Sequence, residues 1–470
     1  MFSKEVYEQR RAELLRRLEG ESGLAVFIGN EEAPAQYRDN AYKFRQDSTW
    51  LYYFGIDAPG FSATLDLDSG EWTLYADDFT LDDIIWMGPT PSVQERAAEV
   101  GIARTQPASK LSWEVSSALI ARRRIHFVPA TRNATAIRLS SLLGMEPSAC
   151  FSAGKKGCAA ASEPLVRAII SQRLVKAPEE IAELDAACAL GFEMHSLARD
   201  MIRPGVREIE IVAAMERVAA EKGWGISFPT ILTQHGEIFH CHSHEAVVEP
   251  GRLMVIDAGV ESNSHYASDF TRTYPTAGRF SPMQRAVYQI VCDAHEYAFG
   301  AVRPGISYLE VHKGAAGIIL EGLKALGIVS GDVSEMVEDG IAGLFMPHGL
   351  GHNMGLDVHD MEDFGEDLVG YDSDQSRSSQ LGLGSLRMAR RLVPGNVVTD
   401  EPGIYFIPDL VAKWKRSGTD RGRVNYSELE KYLGLGGIRL EDDVLVTPEG
   451  ARRLGPKRLP ATVEEIENCF

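Results

Sequence analysis

Residues 252–275 read RLMVIDAGVESNSHYASDFTRTYP. Two β-prone runs, RLMVIDAGV at 252–260 and SDFTRTYP at 268–275, flank a polar break. The first run carries Asp257 directly after Leu253-Met254-Val255-Ile256, and Asp269 stands near the start of the second. A carboxylate in an apolar strand is costly unless it is paired or coordinates a cation. Side chains alternate along a strand, so Asp269, Thr271 and Thr273 share one face. Adjacent antiparallel strands would bring Asp257 and Asp269 together. Two carboxylates in contact repel unless one is protonated or a cation lies between them.

The same interruption recurs twice. Glu401 sits in NVVTDEPGIYF (396–406) and Glu441 in GIRLEDDVLVT (437–447). Any one of these acids alone is better read as a structural acid paired with arginine; four together are not. PHGLGHNMGLDVHD (347–360) adds His348, His352 and His359 within glycine-rich backbone that suits close approach of a ligand. Oxygen-rich ligation with an imidazole favours Mn²⁺, Co²⁺, Fe²⁺ or Zn²⁺ over a thiolate-bound ion. Four carboxylates and a histidine exceed what one ion usually takes. Two ions about 3.5–4 Å apart fit better.

Around these motifs the pattern alternates between blocks. Residues 4–19 predict an amphipathic helix with Leu14, Leu15 and Leu18 on one face. SGLAVFIGN (22–30) predicts a buried strand, FSATLDL and EWTLYAD predict a hairpin around Asp68-Ser69-Gly70, and RIHFVPA predicts a further strand. Small residues at 153–162 suggest a join. Helices are predicted over 178–202, ending before Pro204-Gly205, and over 207–222. Two more open at Ser281-Pro282 with Gln284 and at Ser307 with Glu310, both capping boxes. Strand blocks that bracket helices predict an α+β domain, a sheet with its helices on one side, beside a smaller mixed α/β N-terminal lobe.

Composition narrows the function. The 470 residues suit two domains. A formal net charge of −19 argues against binding nucleic acid or an anionic membrane face. No apolar stretch approaches the ~18 residues a membrane span needs. The N-terminus has no apolar core of signal-peptide type. Six cysteines without a C-x-x-C pair form neither a disulfide framework nor a zinc ribbon, so reduced thiols in the cytoplasm are expected. G-x-S-x-G, Walker and H-E-x-x-H motifs are absent.

The ordered set VIDAG, SDFTRT, HGLGH, TDEPG and IRLED resembles the ligand motifs of the pita-bread metallopeptidases, the group that contains methionine aminopeptidase, aminopeptidase P and prolidase. The resemblance runs over roughly 175–465. YKFRQDSTWLYYFGI (42–56) also resembles the N-terminal lobe of the aminopeptidase P and prolidase branch. It implies an N-terminal domain over 1–155, a linker over 156–177 and a pita-bread catalytic domain over 178–470. The implied metal ligands are Asp257, Asp269, His352, Glu401 and Glu441, with Asp269 and Glu441 bridging two ions and Glu401 doubling as proton shuttle. Mn²⁺ is the leading candidate, with Co²⁺, Zn²⁺ or Fe²⁺ as alternatives. His348 and His359 match histidines that bind substrate and stabilise the transition state. His240 matches a substrate-binding histidine, with His242 and His244 as further candidates in that register. Arg439 matches an arginine lining the site.

The implied reaction is metal-assisted hydrolysis of an Xaa-Pro bond in small proline-containing peptides. The prolyl nitrogen carries no N–H before cleavage and must be protonated on leaving. SLRMARRLVPGN (385–396) resembles the prolidase version, in which an arginine binds the substrate carboxylate; Arg387 is the matching residue, with Arg390 and Arg391 as neighbours. This favours an Xaa-Pro dipeptidase over the alternative, an Xaa-Pro aminopeptidase. A metal-free binding module is a remote third reading. The N-terminal lobe implies a homodimer, with Trp86 as a residue that could reach the partner.

Overall fold

The computed structural model describes residues 1–470. It divides into two compact units, one of Met1–Arg173 with Met361–Val369, the other of Leu174–Asp360 with Gly370–Phe470.

The first unit is built on a five-stranded mixed sheet. The strand Leu24–Ile28 is buried along its whole length. The predicted hairpin forms between Ser62–Asp66 and Glu71–Tyr75, with Asp66 opposite Glu71. RIHFVPA yields only the two-residue strand Ile125–His126, parallel to Leu24–Ile28. The helix Lys4–Arg17 buries Leu14 and, less expectedly, Arg10 and Arg11. Those guanidinium groups donate to the Tyr52 and Tyr53 carbonyls at 3.0 and 2.8 Å, which satisfies carbonyls near the end of the helix Ser48–Phe54. Within 156–177 the chain forms the helix Glu163–Arg173, with Leu165, Val166, Ile169 and Ile170 buried.

The second unit holds the four acids. Its long helices run over Pro178–Met201, Glu208–Glu221, Pro282–Ala301 and Tyr308–Ala325. The capping box at Ser281 closes as predicted: Ser281 Oγ accepts the Gln284 N–H at 3.2 Å and Gln284 Oε1 accepts the Ser281 N–H at 2.9 Å. Met194, Ile211 and Met215 pack with Val291, Leu320 and the inward residues Met254 and Ile256 of the strand Leu253–Ala258. Alternation then turns Asp257 to the opposite face.

The predicted single sheet is segmented. Phe270–Pro275, Leu253–Ala258 and Ile231–Thr233 make one three-stranded antiparallel sheet; Val397–Asp400, Asp442–Thr447 and Gly450–Arg453 make a second. Gly403–Tyr405 pairs separately with Gly437–Arg439. The ladder breaks beside Glu401, where Pro402 has no N–H to donate. The segments remain linked because Thr271 and Glu441 exchange backbone hydrogen bonds of 3.3 and 3.0 Å. No helix is long and apolar enough to cross a membrane.

Candidate metal centre

Strand register brings the acids together. Asp257 lies opposite Thr271, and Thr271 pairs in turn with Glu441. Asp400 lies opposite Asp442, which places the next residue, Glu401, beside Glu441. The histidine segment is held to the same strand by its backbone. Thr399 N–H donates to the His352 carbonyl at 3.0 Å, and Glu401 N–H donates to the Leu350 carbonyl at 2.9 Å. Gly351 permits this approach: a Cβ there would stand 2.1 Å from the Thr399 carbonyl oxygen.

The result is a cavity of about 670 Å³ lined by all ten residues singled out from the sequence, namely His240, Asp257, Asp269, His348, His352, His359, Arg387, Glu401, Arg439 and Glu441. Asp269, His352 and Glu441 present ligand atoms within 4.8 Å of one another. His352 Nε2 stands 3.5 Å from Asp269 and 3.9 Å from Glu401. Burial, then the neighbouring carboxylates, push Asp269 and Glu441 well above the usual carboxylate range; burial raises Glu401 too. Oδ1 of Asp257 and Oδ1 of Asp269 are buried without a hydrogen-bond partner. Acids crowded in this way, with buried oxygens left without a partner, are the donor set a divalent cation resolves.

Arg439 braces the centre. Its guanidinium donates to Asp257 Oδ2 at 2.5 Å, to Tyr405 Oη at 3.0 Å and to Thr271 Oγ1 at 3.1 Å. Thr271 Oγ1 donates onward to Glu441 Oε2 at 2.7 Å. Thr273, on the same strand face, accepts the Arg439 N–H and donates to the Arg439 carbonyl. Asp443, behind the site, accepts the Asp269 N–H at 2.9 Å, and burial pushes its own carboxyl up to about 8.

The two flanking histidines differ. His348 Nδ1 lies 2.7 Å from the Gly349 carbonyl, which can only accept, so Nδ1 carries the proton. Nε2 then accepts from Tyr405 Oη at 2.9 Å. Burial, reinforced by Arg439, lowers His348 to about 3, so the ring is neutral. His359 instead stacks on His352, with ring centroids 3.8 Å apart and planes 17° apart. His240 and His242 also line the cavity, with near-parallel rings 6.3 Å apart. His244 turns away, its Nδ1 3.2 Å from the Leu232 carbonyl. Among the arginines, Arg390 pairs with Asp372 and Arg391 with Asp372 and Asp374, while Arg387 lines the cavity.

Sequence reasoning missed Tyr405 and Asp443. Tyr405 sits in GIYF, where an aromatic residue reads as core; its position two residues after Gly403, on the strand paired to Arg439, carried no chemical signal.

Residues 182–448, more than half of the chain, match the model of metallopeptidase family M24. The chain belongs to metallopeptidase family M24. Residues 7–126 match the aminopeptidase P N-terminal domain, giving the two-part α+β architecture of the M24 chains it resembles. The human Xaa-Pro dipeptidase is 31% identical, covering 98% of this chain and 92% of that protein. A probable Xaa-Pro aminopeptidase of Aspergillus clavatus is 28% identical, covering 99% and 97%. Among solved structures, aminopeptidase PepP of Pseudomonas aeruginosa is 29% identical with a TM-score of 0.79, covering 100% of this chain and 98% of that one. Zinc-substituted E. coli aminopeptidase P in complex with product is 28% identical, also at 0.79. As an M24 metallopeptidase the chain is an enzyme, and the cluster of Asp269, His352 and Glu441 is its candidate metal site.

Proposed function

We propose that the protein is an Xaa-Pro dipeptidase using two divalent cations, Mn²⁺ first, held by Asp257, Asp269, His352, Glu401 and Glu441. The observation that carries this reading is the convergence of those five side chains, with Arg387, on one cavity. Bound cations would supply a Lewis acid for the scissile carbonyl and lower the pKa of water.

The chain's own groups do the rest. Glu401, with its carboxyl raised by burial, takes a proton from the attacking water and returns it to the leaving prolyl nitrogen. His359 donates to the developing oxyanion from its place in the cavity lining beside His352, while His348 is hydrogen-bonded to Gly349 and Tyr405. His348 holds the Tyr405–Arg439 brace and shapes the cavity wall. His240 and Phe239 line the substrate side. Arg387 receives the free carboxylate of a dipeptide; Arg390 and Arg391 are held by Asp372 and Asp374 and do not compete for it. The N-terminal domain of 1–155 lies within the first compact unit, which also takes up the helix Glu163–Arg173 of the expected 156–177 linker, and the catalytic domain of 178–470 falls in the second unit apart from Met361–Val369.

The exposed helix Leu81–Met87 supports a homodimer. It buries none of its residues and leaves Leu81, Ile85, Trp86 and Met87 in solvent, a patch suited to a second copy. A cytoplasmic location agrees with six unpaired cysteines.

A second reading, Xaa-Pro aminopeptidase, is favoured by the similarity in fold to aminopeptidase P. Turnover of Gly-Pro and Ala-Pro beside a tripeptide Xaa-Pro-Xaa, with Mn²⁺, Co²⁺ and Zn²⁺ in parallel, tests both. Preference for dipeptides supports the first reading; preference for tripeptides replaces it with the second. Activity indifferent to chelator would remove the metal centre.

A further inference from the structure

Lys176 and Asp360 form an ion pair of 3.1 Å in which both side chains are only 1% exposed. Such a pair is a poor stabilising device, because desolvating two charges offsets their attraction and an apolar pair of similar volume often serves as well. Its placement is what stands out. Asp360 directly follows His359, and its N–H donates to the Asn353 carbonyl at 3.0 Å, closing the 353–360 loop. Its carboxylate accepts the Asp357 N–H at 3.4 Å and packs so closely on Gly355 that a Cβ there would stand 2.4 Å away. On the other side, Lys176 is anchored by its N–H to the Gly395 carbonyl at 2.8 Å, just ahead of the strand Val397–Asp400 that leads to Glu401. Asn353 pairs with Val398 of the same strand. One buried ion pair thus ties the loop that carries His359 to the strand that precedes Glu401.

We infer that Lys176 and Asp360 are positioning residues that set the His359 ring on His352 and aim it at the substrate. The inference rests on the role given to His359 above and deepens it. A misplacement of about 1 Å at such a group costs about 10²-fold in rate.

The test compares four proteins: wild type, Lys176→Met/Asp360→Asn, His359→Ala, and the combination of all three changes. The pair variant removes both charges of the ion pair together, so neither Lys176 nor Asp360 is left as the uncompensated half of it. On a prolyl dipeptide with Mn²⁺, the pair variant is expected to lose about 10²-fold in kcat with KM and bound metal unchanged. In the His359→Ala background the same two changes should have no further effect. A full additional loss in that background, or loss of metal instead of kcat, overturns the inference. Wild-type turnover in His359→Ala alone shows that the role of His359 has failed, and the inference falls with it. Independently of turnover, a crystal structure of the pair variant should show the His359 ring displaced from its 3.8 Å stack on His352; a ring left in place refutes the positioning role. If the pair variant does not fold, Lys176→Arg takes its place, with the same dependence on His359 expected at smaller amplitude and the same outcomes refuting it.

Discussion

Replacing Arg387 with alanine separates the two peptidase readings. Arg387 lines the cavity among Phe228, Phe239 and Ser385, while the adjacent Arg390 and Arg391 are bound to Asp372 and Asp374. A substrate carboxylate that loses Arg387 therefore gains no replacement from Arg390 or Arg391, and the other guanidinium lining the cavity, Arg439, is paired with Asp257. A hydrogen bond to a charged group contributes about 1.5–3 kcal/mol, and each 1.4 kcal/mol is about tenfold. The expected loss in kcat/KM on Gly-Pro or Ala-Pro is thus about 10- to 10²-fold, carried mostly by KM because the carboxylate is bound equally in ground and transition states. A tripeptide Xaa-Pro-Xaa places its carboxylate a residue farther away and should change by less than about threefold. Initial rates over a substrate series, at saturating Mn²⁺, give both numbers. An equal loss on dipeptide and tripeptide would remove Arg387 from the carboxylate role.

Other perturbations probe the centre itself. Asp269→Asn should abolish turnover and reduce bound metal, since a neutral amide is a far poorer ligand for a divalent cation than a carboxylate; near-normal activity and metal content refute the two-ion reading. Tyr405→Phe removes the partner of both His348 Nε2 and Arg439 Nη1; leaving those buried groups unsatisfied should cost about 1–3 kcal/mol, read as a lowered melting temperature, and no shift would show that water replaces the hydroxyl. The metal-stripped protein should carry a pH signature. Asp269 and Glu441 are raised well above 3.8 and 4.5 in the folded state, so the native chain holds protons that the unfolded chain releases. Their contribution is full below those ordinary values and is lost as pH rises toward the raised ones. The stability difference between the metal-stripped wild type and metal-stripped Asp269→Asn should therefore move against the wild type between pH 4 and neutrality. A pH-independent difference refutes it.

The two acids raised in this way were visible in the sequence for the same reason that their pKa values shift: charge interrupts an apolar strand. That logic found Asp257, Asp269, Glu401 and Glu441 one at a time and grouped the histidines by glycine spacing. It also located the long helices, whose ends carry proline, glycine and capping boxes at fixed offsets; the prediction of 178–202 corresponds to Pro178–Met201. Short strands were less legible. RIHFVPA gave two paired residues, because pairing depends on a neighbour that the local pattern does not name.

What one dimension determined here is which side chains are too polar for their surroundings, since hydrophobic periodicity is a local property. What only the folded chain decided is partnership. Arg439 meets Asp257 across 182 positions and Tyr405 across 34. Lys176 meets Asp360 across 184. Arg390 and Arg391 are drawn off by Asp372 and Asp374 while Arg387 lines the cavity. Such choices are made by strand register and chain crossing, which bring together groups whose separation along the sequence carries no record of their distance in space.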